Sequence, residues 1–177
     1  MLESPTAPPA LSPRSAQRRS SELPTSPPPS TAPQLVIVPC GRSKIWSKHP
    51  DAGPTPAAHA YTGAPFTVNR EFVEASGGDW VILSAKYGFL RPTDIIPGPY
   101  EVTFKEPSTG PIALEVLGDQ VQQMGLDRYT EVVGLGGKEY RAAVEEAFRG
   151  THVILRFPFA GLPIGKAMGA TKRAIGR

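Results

Sequence analysis

The sequence predicts an α/β domain with three layers, in which a mainly parallel sheet of about four or five strands is flanked by helices. Three observations predict this fold. Short apolar runs rich in β-branched residues recur along the chain, segments with helical periodicity separate them, and glycine or proline stands at their boundaries. Strands and helices that alternate in this rhythm favour parallel pairing, because each helix carries the chain back to the same edge of the sheet.

One domain accounts for the chain of 177 residues, of which 40% are hydrophobic. Residues 1–33 are rich in Pro, Ser and Thr and contain few large apolar side chains, so burial cannot offset the entropy lost on ordering them. We therefore expect residues 1–33 to form a disordered tail and residues 34–177 to form a single α/β domain.

The composition also restricts the compartment. No apolar run approaches the roughly 20 residues that span a bilayer, and the N-terminal segment lacks the apolar region of a secretion signal. The one cysteine, Cys40, excludes an internal disulfide and a cysteine-rich zinc site. We expect a cytoplasmic protein that binds no membrane, no metal and no cofactor, and the formal net charge of +3 permits an anionic partner. The oligomeric state stays open.

The first half of the domain contains two predicted strands and one helix. Residues 35–38 form the first strand, bounded by prolines, and residues 50–65 form a long irregular loop rich in Pro, Gly and Ala. Residues 66–75 have near-helical apolar spacing and end at two glycines, which predicts the crossover helix to the second strand, residues 80–83.

The second half repeats the pattern. A helix is predicted to begin at Pro111 and to end at Gly125, and the third strand covers residues 131–135. The next helix follows directly, residues 152–157 form the fourth strand, and a last helix begins at Pro163.

Functional side chains follow the second predicted strand without a spacer. Ser84, Lys86 and Tyr87 bring a hydroxyl, an amine and a phenol to its carboxyl end, where open α/β sheets bind their ligands. The alternative is an ordinary surface loop. Asp94 and Tyr100 come soon afterwards, in a segment whose prolines exclude a helix or an inner strand, and we expect them at the same rim.

The loop after the first strand is equally dense in functional groups. Lys44 and Lys86 would stand at the ends of adjacent strands, and a desolvated lysine beside another cation can titrate low enough to act as a nucleophile or base. Alternatively, both amines only neutralise an anionic ligand. Cys40 would be a nucleophile if Lys44 or His49 lowered its pKa, although a small half-buried residue is the simpler interpretation.

A glycine-rich segment connects the third predicted strand to its helix. The N–H groups of Gly136 and Gly137, the helix dipole and the Lys138 amine would together hold a phosphate, although the spacing matches neither a Walker loop nor a dinucleotide fingerprint. A tight turn without a ligand is the alternative. His49 and His59 match no compact metal site.

Several of these motifs resemble a known family. Val38-Pro-Cys-Gly41 with Lys44, the run from Ile82 to Leu90, and the run from Ile96 to Tyr100 are similar to an uncharacterised bacterial and phage domain family related to the YaaA peroxide-stress proteins. This resemblance implies DNA binding and a role in limiting iron-driven oxidative damage.

A shorter likeness concerns the first loop. Pro39-Cys40-x-x-x-Lys44 is similar to a signature of archaeosine synthases, which add an amine to a 7-deazaguanine base in transfer RNA. Ile45-Trp46 stands where that signature has Pro-Tyr, which leaves the reaction open.

The sequence therefore predicts an enzyme that acts on a nucleotide, a modified nucleobase or a nucleic acid, through glycosidic or base-modifying chemistry in a lysine-rich pocket. A DNA-binding oxidative-stress protein without catalysis is the competing prediction, and a scaffold that recruits partners through its proline-rich tail is a third. The predicted catalytic residues are Lys44, Lys86, Cys40, Ser84 and Tyr87. The predicted substrate-binding residues are Arg42, Ser43, Tyr61, Arg91, Asp94, Tyr100, Gly136, Gly137 and Lys138.

Overall fold

A mixed, mostly parallel sheet organises the part of the chain that the computed structural model describes, residues 33–176. The strands in this part of the chain are, in chain order, β1 (Gln34–Pro39), β2 (Thr55–Pro56), β3 (Asp79–Ser84), β4 (Gly88–Leu90), β5 (Ile95–Ile96), β6 (Glu131–Gly134) and β7 (Ile154–Arg156). Its helices are α1 (Ala57–Ala60), α2 (Ala64–Ser76), α3 (Leu114–Gln123), α4 (Lys138–Ala147) and α5 (Ile164–Ala174). The predicted tail lies outside the described residues except for Pro33.

The main sheet has the order β4-β3-β1-β6-β7. β1 pairs in parallel with β3 and β6, β6 pairs in parallel with β7, and β4 is antiparallel to β3 at one edge. The predicted α/β fold class is confirmed. β2 and β5 form a separate two-stranded antiparallel ribbon.

Two apolar cores cover the two faces of the sheet. Successive side chains of a strand point to opposite faces, and β1 accordingly sends Leu35 and Ile37 to one core and Val36 and Val38 to the other. The first core is completed by α3 and α4, and the second by α1 and α2, against which α5 packs. The helices therefore form a layer on each side of the sheet.

The connections of β1 and β6 create a crevice. From β1 the chain crosses through α2 to β3 on one side, whereas from β6 it crosses through α4 to β7 on the other side. The loops after β1 and β6 therefore leave neighbouring strand ends toward opposite faces. In open α/β sheets, ligands bind at such a switch point.

Three predicted elements differ from the structure. The helix expected from Pro111 begins at Leu114, because the Ile112 amide donates to the carbonyl of Ala85 at 2.8 Å and holds the segment extended. The last strand is shorter than predicted, covering Ile154–Arg156. The predicted irregular loop of residues 50–65 contains β2, α1 and the start of α2.

β4 was not predicted. It is three residues long and follows β3 after a turn of three residues, and its first residue, Gly88, leaves this turn with a φ of 74°. A Cβ at Gly88 would also lie 2.0 Å from the side-chain oxygen of Gln120, so this turn requires glycine. None of the helices in residues 33–176 has the length and apolar character needed to cross a membrane.

Candidate active site

A large cleft lies at the carboxyl ends of β1 and β6, with a volume of about 1350 Å³. The loop after β1, from Pro39 to Lys44, forms one wall together with residues of α2. The glycine-rich loop after β6 and the start of α4 form a second wall, and the segment from Phe159 to Thr171 closes the third. The cleft occupies the switch point of the sheet, where ligands are expected.

Lys44 is the buried charged residue of this cleft. Its side chain is 5% exposed, its Nζ donates a hydrogen bond to the carbonyl oxygen of Arg42 at 3.1 Å, and it lies 4.3 Å above the ring centroid of Tyr100. Among the described residues, no carboxylate lies within 4.0 Å of this amine. The amine therefore has aromatic and carbonyl neighbours but no counter-ion.

This environment changes the titration of Lys44. Burial lowers its pKa below the usual value of 10.5; the nearby Cys40 and Glu101 partly oppose this shift, and Arg42 adds to it. The cation that contributes is thus Arg42, and Lys86 is not among the causes. An amine with a lowered pKa is uncharged in a larger fraction of molecules, which is the form that attacks carbon.

The backbone around Lys44 holds this side chain in place. Lys44 has extended dihedral angles and forms an isolated antiparallel bridge with Tyr61, after which a short 3-10 turn covers Ile45–Ser47. Trp46 in this turn is buried, and its ring nitrogen donates to the carbonyl of Gly53 at 2.9 Å. These contacts hold the loop against the core.

Three hydroxyl groups form a buried chain beneath the amine. Tyr100 Oη lies 2.7 Å from Tyr61 Oη and 2.9 Å from Ser84 Oγ. Ser84 Oγ also accepts the backbone N–H groups of Lys86 and Tyr87, both at 3.2 Å. These two donors use the lone pairs of Ser84, so its proton is directed to Tyr100, and Tyr100 in turn donates to Tyr61.

Both phenols of this chain stay protonated. Burial raises the pKa of Tyr61 and that of Tyr100 well above the usual value of 10.0, and the neighbouring Cys40 raises both further. Tyr100 is therefore an uncharged ring under Lys44 and cannot serve as its counter-ion.

The thiol of Cys40 contacts a residue from the facing wall. Its Sγ lies 3.1 Å from Tyr140 Oη, and Cys40 and Tyr140 both line the cleft. Burial raises the pKa of Tyr140, and the proximity of Cys40 raises it further. This contact connects the loop after β1 to the first turn of α4.

Lys86 approaches the same tyrosine from outside the cleft. Its Nζ lies 5.3 Å from the ring centroid of Tyr100 and 5.1 Å from that of Tyr87, but the side chain is exposed and does not line the cleft. Both Nζ atoms lie near the same ring, so the distance between them is less than the sum of their two distances from its centroid. The two amines share Tyr100 as a neighbour, but only Lys44 lines the cleft.

Most of the remaining predicted residues either line the cleft or lie close to it. Arg42, Ser43, Gly136, Gly137 and Lys138 line the cleft. Ser84, Tyr61 and Tyr100 are buried below it, and Tyr87 packs edge-on against Tyr100 with a centroid distance of 5.3 Å.

Arg91 and Asp94 were predicted to bind substrate, Asp94 at the rim, but neither lines this cleft. The carboxylate of Asp94 accepts the backbone N–H of Arg91 at 2.7 Å, and the Asp94 carbonyl accepts the N–H of Ala57 at 2.8 Å. Their proximity in sequence to Tyr100 suggested a shared site, but Asp94 closes a local turn instead.

Cationic side chains predominate around the mouth of the cleft. Arg42, Lys105, Lys138 and Arg141 line it, as do the acidic residues Glu101, Glu106 and Glu139. The N-cap of α4, Gly137, has no side-chain cap, so amide N–H groups of its first turn remain available. This combination favours an anionic ligand.

Many residues that line the cleft were not predicted, among them Asn69 and Tyr140. Asn69 lies on α2 and Tyr140 on α4, and both were counted only as parts of helices, although each lines the cleft. Asn69 is 7% exposed, and the sequence alone does not reveal that this polar residue is buried at the cleft. No cluster of His, Cys, Asp and Glu suited to a metal ion occurs within residues 33–176.

Comparison with known proteins identifies the family. The chain is 38% identical over 143 residues to the uncharacterized protein YfjM of Bacillus subtilis (strain 168), an alignment that covers 80% of this chain and 95% of that protein. No solved structure matches. The resemblance to YaaA-related proteins and to archaeosine synthases stays a prediction. Residues 35–173, which include the whole cleft, match the model of the family of unknown function DUF6884, and the chain belongs to that family.

Proposed function

We propose that this protein is an enzyme that acts on a nucleotide, a modified nucleobase or a nucleic acid, and that it cleaves an N-glycosidic bond with Lys44 as the nucleophile. One observation carries this proposal: a 5% exposed amine with a lowered pKa opens into a large cleft and has no carboxylate partner among the described residues. The charged form of such an amine lowers the stability of the folded protein. Lysines with a pKa lowered by burial are found frequently at functional sites.

The proposed reaction has two steps. The uncharged Nζ of Lys44 attacks C1′ of the sugar, the bond from C1′ to the base breaks, and the base takes the electron pair together with the proton that the amine releases. The sugar ring then opens to an imine on Lys44, and water hydrolyses this imine to release the sugar and restore the amine.

Other cleft residues support this chemistry. The phenol of Tyr140 is held protonated at the cleft wall and would donate a hydrogen bond to the departing base. Arg42 and Lys138 would neutralise a phosphate on the sugar. The volume of about 1350 Å³ exceeds the roughly 300–1,000 Å³ of an ordinary small-molecule pocket, which suits a ligand with base, sugar and phosphate parts. We place this activity in the cytoplasm, as the single cysteine favours.

Arginine substitution tests the nucleophile. Lys44→Arg retains the positive charge but removes the amine, so we expect it to abolish cleavage of a panel of nucleosides and nucleotides, measured by chromatographic detection of the free base. Lys86→Arg is the matched control, because that exposed amine lies outside the cleft, and it should retain cleavage within about threefold.

Chemical trapping identifies the intermediate directly. Sodium borohydride added during turnover should reduce the imine and leave the sugar attached to Lys44, as detected by peptide mass spectrometry.

The rate of cleavage should also rise with pH through the lowered pKa of Lys44 and then level off, since the uncharged amine is the attacking form. Unchanged cleavage in Lys44→Arg would disprove the proposed role of this residue.

The competing DNA-binding function makes a different prediction. If the cations of the cleft only contacted phosphates, Lys44→Arg and Lys86→Arg would both preserve DNA binding, and no base would be released by the wild-type protein. What weighs against this function is the burial of Lys44, since a phosphate-contacting lysine gains nothing from being desolvated in advance.

A further inference from the structure

Asn69 carries a carboxamide that has no partner in the described fold and lies at the surface of the cleft. It lies on α2, is 7% exposed, and lines the cleft one helical turn after Phe66. Among residues 33–176 its side chain has no hydrogen-bond partner. Its oxygen and nitrogen retain contact with solvent, so the amide reaches the surface of the cleft, where a ligand can pair with it.

The surroundings of Asn69 suit a planar, mainly apolar ligand group. The helix that carries it packs against α5, and the cleft wall on that side includes Phe159, Leu162, Ile164 and Met168. A carboxamide presents one donor and one acceptor side by side, which matches the edge of a nucleobase with an adjacent acceptor and donor.

The opposite side of the cleft has the complementary chemistry. There the uncapped first turn of α4, with Gly136, Gly137 and Lys138, offers N–H groups and a positive charge, and Arg141 lies one turn further on. Glu139 lies in the same turn, and its carboxylate would repel a phosphate. The phosphate would therefore contact the amides and the two cations.

We propose that the cleft binds a nucleoside phosphate, with the base on the α5 side read by the carboxamide of Asn69 and the phosphate at the first turn of α4. The sugar then lies between them, at the end of β1, where the amine of Lys44 is. This inference rests on the proposed function and specifies its substrate class. The nucleoside phosphate is either a free mononucleotide or one unit of a single-stranded nucleic acid.

Calorimetric titration of the full chain tests the arrangement. The probes are the four ribonucleoside 5′-monophosphates, the corresponding nucleosides, ribose 5-phosphate and a single-stranded tetranucleotide. At least one monophosphate, or the tetranucleotide, should bind about tenfold more tightly than both ribose 5-phosphate and the nucleosides, because it alone occupies both sides. Preference for the monophosphate identifies the free nucleotide as the source, and preference for the tetranucleotide identifies the polymer.

Substitutions on the two sides should separate the two contacts. Asn69→Leu should weaken binding of the preferred probe about tenfold while leaving ribose 5-phosphate unaffected, whereas Lys138→Ala should weaken both. Gln123→Leu, an amide replacement at an exposed position of α3 outside the cleft, is the matched control and should change neither.

Thermal unfolding distinguishes a ligand-binding role from a structural one. Asn69→Leu should unfold at about the same temperature as the wild type, because the amide has no partner in the fold and the volume changes little. If this variant does not fold, Asn69→Asp keeps the shape and replaces the donor by an acceptor, and it should weaken binding equally.

Two results would overturn the inference: no probe binds more tightly than ribose 5-phosphate, or Asn69→Leu binds the preferred probe as the wild type does. Both are independent of the lysine test. Nucleotide binding that depends on Asn69, without base release, would refute only the proposed catalysis, and cleavage without this dependence would refute only the proposed binding mode.

Discussion

Tyr100 is the residue on which the candidate site is assembled, because its hydroxyl and its ring have different partners. The hydroxyl joins Tyr61 to Ser84, while the ring lies beneath the amines of Lys44 and Lys86. A hydroxyl chain with a fixed direction orients the ring, and the ring provides a flat, uncharged surface for the buried amine.

Removal of the Tyr100 hydroxyl should destabilise the protein. In Tyr100→Phe, the hydroxyls of Ser84 and Tyr61 lose a partner at positions that are 0% and 2% exposed. Each unsatisfied group costs about 1–3 kcal/mol, so we expect the free energy of unfolding to fall by at least about 1 kcal/mol in a urea titration.

Tyr87→Phe is the control for this change. The Tyr87 ring packs on Tyr100, but its hydroxyl forms no hydrogen bond with the described residues. Its loss should change stability by no more than about 0.5 kcal/mol. Equal effects of the two substitutions would show that the hydroxyl chain adds nothing to stability.

Residues of this kind were only partly predictable from sequence. Ser84 and Lys44 were identified because they follow predicted strands, and position at a strand end is a local property. Tyr100 was expected at the same rim because it comes soon after the second predicted strand. The burial of Lys44 and the pairing of Cys40 with Tyr140 depend on residues that are distant in the chain, so no local pattern indicates them. Asp94 was expected at the rim because it is close to Tyr100 in the sequence. In the structure its carboxylate accepts the N–H of Arg91 and closes a local turn instead.

At the scale of elements, the glycine-rich loop between β6 and α4 depends on close packing. A Cβ on Gly136 would lie 2.5 Å from the Cβ of Tyr140, a distance that requires the start of α4 to move. The same tyrosine contacts Cys40, so this glycine determines how closely α4 approaches the loop after β1.

Gly136→Ala should therefore weaken both the fold and the cleft. We expect a loss of about 1–3 kcal/mol in the free energy of unfolding, as for other overpacked sites, together with reduced base release. Gly98→Ala is the matched control, since a Cβ there meets no atom within 4 Å, and it should leave both quantities nearly unchanged. A Gly136→Ala variant as stable as the wild type would contradict the close packing.

The elements themselves were largely predictable. β1, α2, β3, β6 and α4 match the predicted segments within about two residues, because apolar periodicity and flanking glycine or proline mark them. β4 escaped prediction because three residues are too few for a periodic signal. The start of α3 was misjudged because a long-range hydrogen bond, from Ile112 to Ala85, decides it.

At the scale of the whole molecule, the strand order creates the site. The order β4-β3-β1-β6-β7 sends the connections of β1 and β6 to opposite faces, and the crevice between them holds the cleft. The sequence predicted parallel strands with functional groups at their carboxyl ends. It did not predict their order, because periodicity within a strand says nothing about which strands are neighbours.

The whole arrangement depends on the state of one amine, and measuring the titration of Lys44 tests that state most directly. Nuclear magnetic resonance of lysines labelled with ¹³C at Cε, with the Lys44 signal assigned by its absence in Lys44→Arg, reports the pKa of each amine. Desolvation predicts that Lys44 titrates below its usual value of 10.5. A Lys44 signal that titrates at 10.5 or above would contradict the proposed nucleophile.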